Sequence, residues 1–196
     1  MEDKVIKKII LIADTFFPEK NSAALMLHSL AKCILSRGIE LIILSPHSNS
    51  NTNSIVSNDS GYKHVQFYCP YLKSKNLILR TYGELSLSNI FIKKSKFLDE
   101  YFIDTDLIIS YSPTIFFGPF IKFLKKKFRI KNSYLILRDI FPQWLIDLEI
   151  INKNNPIYFF FKHYEKILYQ SSSKIGIQSL NNFKYFDSKK ETSKVE

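Results

Sequence analysis

At 196 residues, with 45% hydrophobic and 23% charged residues, the chain has the size and composition of one globular domain with a real core. Its net charge of +10 admits nucleic acid, an anionic membrane surface or a phosphorylated substrate as partner, beside a merely solvated basic surface. Cys33 and Cys69 form no CxxC or Cys/His pattern, so neither a metal nor a cofactor is expected, and two lone thiols suit a reducing cytoplasm. The charged start Met1-Glu2-Asp3-Lys4 does not read as a signal peptide. The longest uncharged stretch, Leu107 to Ile121, holds Pro113, Gly118 and Pro119 and is too short to span a membrane, so any membrane contact should be peripheral.

In chain order, Ile9 to Ala13 reads as a buried strand and Asp14 to Asn21 as a loop. From Ser22 a helix is expected, with Leu27, Leu30, Ala31, Ile34 and Leu35 on one face and Gly38 as its cap. Ile39 to Leu44 is a second buried strand, which completes a βαβ unit and implies a parallel sheet. His47 to Tyr62, rich in Ser and Asn, reads as a mobile loop before a third strand at His64 to Cys69. Next come a helix over Leu85 to Tyr101, with Phe97 among its apolar residues, and a fourth strand, Asp106 to Ser110. The helix Pro113 to Phe128 carries an apolar stripe of Phe117, Phe120, Ile121, Leu124 and Phe128, and the fifth strand, Tyr134 to Leu137, ends at Arg138-Asp139. A short helix over Pro142 to Leu148, a longer one from Asn155-Pro156 to about Gln170, a sixth strand at Lys174 to Gln178 and a helix from Leu180 to Phe186 complete the chain. This alternation predicts a single α/β domain, a Rossmann-like doubly wound parallel sheet.

Ligands of such sheets bind beyond the carboxyl ends of the strands, which draws attention to three loops. Asp14 to Ser22 ends at a helix N-terminus suited to an anion, although without glycine it is neither a GxGxxG fingerprint nor a P-loop. It reads either as a capped turn or, through Asp14, Asn21 and Ser22, as the wall of a sugar site. Ser110 and Ser112 stand before the proline-led helix, where hydroxyls serve polyol recognition or plain capping. Arg138-Asp139, followed by the sole tryptophan, Trp144, is either an ion pair capping the next helix or a site in which Asp139 takes a proton or hydroxyl hydrogen bond and Arg138 a phosphate. No histidine fits a metal or triad pattern, and no GxSxG elbow occurs.

Lys122, Lys125, Lys126, Lys127 and Arg129, interleaved with Phe123 and Phe128, form either a solvated helix face or a contact for anionic lipid. In Tyr158-Phe159-Phe160-Phe161, Ile157, Phe160, Phe161, Tyr164 and Leu168 are expected to pack inward, leaving Tyr158 and Phe159 free for an interface.

These segments resemble a known family. The stretch KIILIADTFFPEKNSAALMLHSLAKCILSRGIELIILSP resembles the opening of family-four retaining glycosyltransferases of the GT-B type. LRDIFPQWLIDLEII and KIGIQSLNNFKYF resemble two segments of their fucosamine-transferase-like subgroup, which makes bacterial surface polysaccharides such as O-antigen and capsule. The resemblance implies that residues 1–190 form the acceptor-side domain and that 191–196 begin an interdomain linker or a truncated tail. It implies a lipid-linked sugar acceptor at the inner membrane face, and a nucleotide-sugar bound only with a second domain, on this chain or a separate one. Transfer would proceed with retention and usually without metal, and nucleic acid is not an expected partner. By position, Arg138 and Asp139 match the subgroup's RD and Asn21-Ser22 a glycine-containing loop, while Glu149 stands where glycine is usual. The E-x7-E segment of the donor domain has no counterpart in these residues, so the chain is expected to be inactive alone or to act as a membrane-associated partner subunit.

Overall fold

The computed structural model describes residues 5–48, 54–59, 61–72, 74–186 and 191–196. A seven-stranded sheet runs in the order β3-β4-β2-β1-β5-β6-β7. It comprises β1 (Lys8–Ile12), β2 (Glu40–His47), β3 (Ser54–Asp59), β4 (Tyr62–Tyr68), β5 (Leu107–Tyr111), β6 (Asn132–Leu137) and β7 (Lys174–Ile177). All neighbours are parallel except β3, which pairs antiparallel with β4.

Alternate residues of each central strand face opposite layers, and both layers are filled. Ile9, Leu11, Leu41 and Ile43 meet Leu27, Ala31 and Ile34 of α1 (Ser22–Leu35). Ile10, Ile12, Ile42 and Leu44 meet the other layer, with Phe91 of α2 (Leu77–Ser95), Phe120 and Leu124 of α4 (Gly118–Phe128), and Leu168 of α6 (Pro156–Ser171). Each fully buried aliphatic or Phe side chain contributes about 1.5–3 kcal/mol, so this double layer dominates the stability of the domain. At Gly118, a Cβ would lie 2.7 Å from the Leu168 amide nitrogen, so the missing side chain is what lets α4 press against α6.

Several expected elements are corrected. The loop expected over His47 to Tyr62 contains strand β3, and residues 49–53 and 60 of it lie outside the described residues. An edge strand needs backbone pairing more than an apolar face, and Gly61, at φ 88°, lies just before β4. The helix expected over Leu85 to Tyr101 starts at Leu77, because the Asn76 side chain accepts from the Ile78 and Leu79 amides at 2.9 and 3.3 Å. It stops at Ser95, is followed by the short α3 (Asp99–Phe102), and leaves Phe97 88% exposed. On α6, Ile157 and Phe160 are exposed, not packed inward, while Glu165 is buried. The short helix α5 (Gln143–Asp147) leads to Glu149 at φ 56°, a left-handed conformation that glycine adopts without strain. Leu180–Tyr185 is a 3-10 turn. Residues 191–196, expected to begin a linker or tail, lie against β7, where Val195 bridges Ile175 and the Glu196 amide donates to the Ile175 carbonyl at 2.9 Å. Among the described residues no helix is long and apolar enough to cross a membrane.

Candidate functional site

The sheet reverses its winding between β1 and β5, so the crevice beyond their carboxyl ends is the natural ligand position. Arg138, directly after β6, reaches back into this crevice. Its Nη1 donates to Tyr111 Oη at 2.9 Å, and both Nη atoms lie 3.4 Å from Ser22 Oγ. One guanidinium thus ties the ends of β5 and β6 to the first residue of α1. Asp139 is exposed beside it. The two border a groove of about 630 Å³ lined also by Pro113, Ile140, Gln143, Trp144, Asp147, Asn181, Asn182 and Tyr185.

The other expected site residues are distributed differently. Ser110 and Ser112 are buried, and their hydroxyls donate to the carbonyls of Tyr134 (3.5 Å) and Asp139 (3.4 Å). Both bonds run from β5 toward β6 and the residue after it. Asn21 is committed as well: its side-chain oxygen caps α1 at the Ala24 amide (2.8 Å), and its nitrogen donates to Thr15 Oγ1 (2.8 Å) and to Glu19 (3.3 Å).

Asp14 lies on the other flank of the crevice, toward α2. Its Oδ1 is sealed from solvent with no hydrogen-bond partner among the described residues. Burial, with Glu84 and Glu19 nearby, pushes its carboxyl up to about 6, although its own amide and Arg80 oppose the shift. The folded protein therefore holds a proton that the unfolded chain releases near 3.8. Stability from this group is complete below pH ~4 and lost as pH rises through ~6. Asp14→Asn is accordingly expected to raise stability by about 1–3 kcal/mol at pH 7 and by almost nothing at pH 4. Denaturant titrations of both proteins at the two pH values check this, and an equal gain at both would contradict it.

The basic run is also divided. Lys125 Nζ donates to Ser133 Oγ (3.0 Å), the Ser171 carbonyl (3.1 Å) and Ser173 Oγ (3.3 Å), which staples α4 to β6 and to the end of α6. Lys127 pairs with Asp99 at 2.6 Å, and Phe123 and Phe128 pack against the core. Lys122, Lys126 and Arg129 remain exposed. Lys125→Met should therefore cost about 1–3 kcal/mol in a denaturant titration, while Lys126→Ala stays within about 0.5 kcal/mol. Equal small effects would return Lys125 to the surface.

Gln143, Asn181, Asn182 and Tyr185 were not singled out from the sequence. Asn181 and Asn182 follow β7, so the rule that drew attention to the ends of β1, β5 and β6 also reaches them. Among the described residues no group of three or more His, Cys, Asp or Glu could hold a metal ion.

No protein-family model matches the sequence, and no curated protein matches it. Solved structures do resemble the fold. An α,α-trehalose-phosphate synthase (UDP-forming) from Burkholderia xenovorans, in complex with glucose-6-phosphate, superposes with a TM-score of 0.62 at 12% identity, over 91% of this chain and 42% of its own. Apo UGT2 of Phytolacca americana gives 0.57 at 13% identity, over 96% and 51%. Arabidopsis thaliana UGT89C1, complexed with UDP-L-rhamnose, gives 0.54 at 16% identity, over 92% and 44%. The chain spans about half or less of each of these proteins, and its fold is that of one half of a GT-B glycosyltransferase.

Proposed function

We propose that this chain is the acceptor-binding half of a retaining glycosyltransferase. It would move a sugar from a nucleotide-sugar to a lipid-linked or glycan acceptor in bacterial surface-polysaccharide synthesis. The observation that supports this most is Asp139, exposed at the rim of a groove at the carboxyl end of the sheet, in a fold shared with one half of several glycosyltransferases. The LRDIFPQW segment that carries Asp139 resembles the fucosamine-transferase-like subgroup, which favours that family over other bearers of the fold.

In this reading the acceptor hydroxyl oxygen bonds to the anomeric carbon of the donor sugar from the same face that the nucleotide leaves, which retains the configuration. The bond from that carbon to the nucleotide's phosphate oxygen breaks, and the nucleotide leaves with the electron pair. The hydroxyl proton passes to the Asp139 carboxylate. Arg138, bonded to Tyr111 and Ser22, bridges β6 and α1 beside the groove. Both reactants must be held together, so a donor-binding half has to close over the groove, whether on the same chain or another. A lipid-linked acceptor places the domain at an anionic membrane face, where Lys122, Lys126 and Arg129 are the cations free to meet it.

The rival is a Rossmann module that binds a nucleotide by itself. Calorimetry of the 196 residues with nucleotide-sugars separates the two. The acceptor-half reading expects no micromolar binding, whereas micromolar binding of a nucleotide-sugar by this chain alone would overturn it.

A further inference from the structure

The groove beside Asp139 is not basic, although the chain carries a net charge of +10. Its lining has one cation, Arg138, against two carboxylates, Asp139 and Asp147, and every other lining residue is neutral. Arg138 already donates to Tyr111 and Ser22. A ligand dominated by phosphate finds little complement here. What the groove does offer is an aromatic face and several planar amides. Trp144 is 40% exposed, with Phe141 behind it at 5.8 Å between ring centroids. A sugar ring has the matching chemistry, with an apolar C–H face to lie on the indole and hydroxyls at its edge to exchange hydrogen bonds with amides.

The amides differ in availability. Gln143 Nε2 donates to Asp147 at 2.8 Å, so that pair partly satisfies itself. The carboxamides of Asn181 and Asn182 have no hydrogen-bond partner among the described residues, yet the backbone beneath them is fixed. Ser179 Oγ accepts from the Asn181 amide at 3.2 Å, and the Ser179 carbonyl accepts from the Asn182 amide at 2.9 Å. At the other end of the same turn, Tyr185 Oη donates to the buried Glu165, and Lys162 Nζ lies 2.6 Å from Tyr185 Oη while pairing with Glu165. Two free carboxamides therefore stand on a turn anchored at both ends.

We propose that the turn Leu180–Tyr185 is the specificity wall of the groove, with Asn181 and Asn182 reading the hydroxyls of a neutral sugar ring laid against Trp144. Lys162, Glu165 and Tyr185 position that wall from behind. The proposal rests on the reading of the groove as the acceptor site and adds which part of the acceptor it selects.

Trp144 is the only tryptophan, so selectively excited tryptophan emission reports on this groove. The probes are the methyl glycosides of glucose, galactose, N-acetylglucosamine and N-acetylgalactosamine at millimolar concentration, with inorganic pyrophosphate as the charged probe. At least one glycoside should shift the emission saturably, and pyrophosphate should not. Asn181→Ala with Asn182→Ala should weaken that binding about tenfold or more at an unchanged melting temperature. Tyr185→Phe keeps the ring but releases the bond to Glu165, and should alter the order of preference among the glycosides. No shift with any glycoside, a shift with pyrophosphate alone, or binding indifferent to the paired asparagine change would each overturn the proposal. Its failure is distinguishable from failure of the glycosyltransferase reading. Sugar transfer with an acceptor preference untouched by the asparagine changes removes only the wall. Glycoside binding without transfer under any pairing keeps the wall and removes the transferase.

Discussion

Glu165→Ala should lower the stability of this domain by about 3–5 kcal/mol, the cost of leaving one member of a buried ion pair without its partner. Glu165 is 2% exposed on α6, on a face otherwise filled by Leu168 and Tyr169. Its two oxygens are engaged by Lys162 and Tyr185, and Tyr169 lies close enough that burial and the Glu165 charge together push its hydroxyl above the usual tyrosine range. Removing the carboxylate leaves a cavity, takes the acceptor from the Tyr185 hydroxyl and strips the partly exposed Lys162 of its partner. For a chain of this length the loss corresponds to a fall in Tm of about 6–20 °C, at roughly 2–4 °C per kcal/mol. Glu165→Gln retains an acceptor for Tyr185, and Lys162, with a side chain 25% exposed, can turn toward water, so its cost should be near 1–2 kcal/mol. Replacing all three members with Leu, Met and Phe should be nearly neutral, since a buried ion pair gains little over well-packed apolar side chains. That outcome would assign the network to placing the Leu180–Tyr185 turn and not to stability. A fall below about 2 °C for Glu165→Ala would mean the carboxylate is not buried as described.

The second large effect is kinetic. With a donor-binding half present, Asp139→Asn should lower kcat by about 10²- to 10⁴-fold, the range for loss of a positioned proton acceptor. The acceptor KM should move far less, because the amide keeps the size of the side chain and one of its hydrogen-bonding oxygens. Asp139 is exposed, so the melting temperature should change little. An Asp139→Asn variant with undiminished kcat would remove Asp139 from the proton-transfer step.

The parts of this fold that could be read from the sequence are those in which local pattern and tertiary environment agree. β1, β2 and β5 are buried on both faces and β6 on one, so they stand out as short apolar runs, and α1 carries its apolar stripe in the letters. β3 did not stand out, since it earns its place only by pairing with β4. The start of α2 was set by Asn76, a single capping residue ahead of an exposed apolar turn in which Ile78 is 81% exposed.

In the site, Arg138 and Asp139 were legible because a charged pair after a buried strand is unusual. The roles of Ser110, Ser112 and Lys125 were not, because whether a hydroxyl or ammonium faces a ligand or a backbone carbonyl depends on strands and helices distant in sequence. Glu165 was hidden for the same reason: the two partners that make its burial tolerable include Tyr185, twenty residues further along the chain.

In the proposed function an acceptor site on this chain works only against a donor site elsewhere. Transfer of labelled sugar from a nucleotide-sugar to a polyprenyl-diphosphate-linked sugar, measured with a donor-binding half supplied on the same chain or a separate one, is the most direct test. Transfer is expected from the two halves together, none from these 196 residues alone, and loss of transfer with Asp139→Asn. A pair that folds, binds the nucleotide-sugar and still moves no sugar to any such acceptor would contradict it.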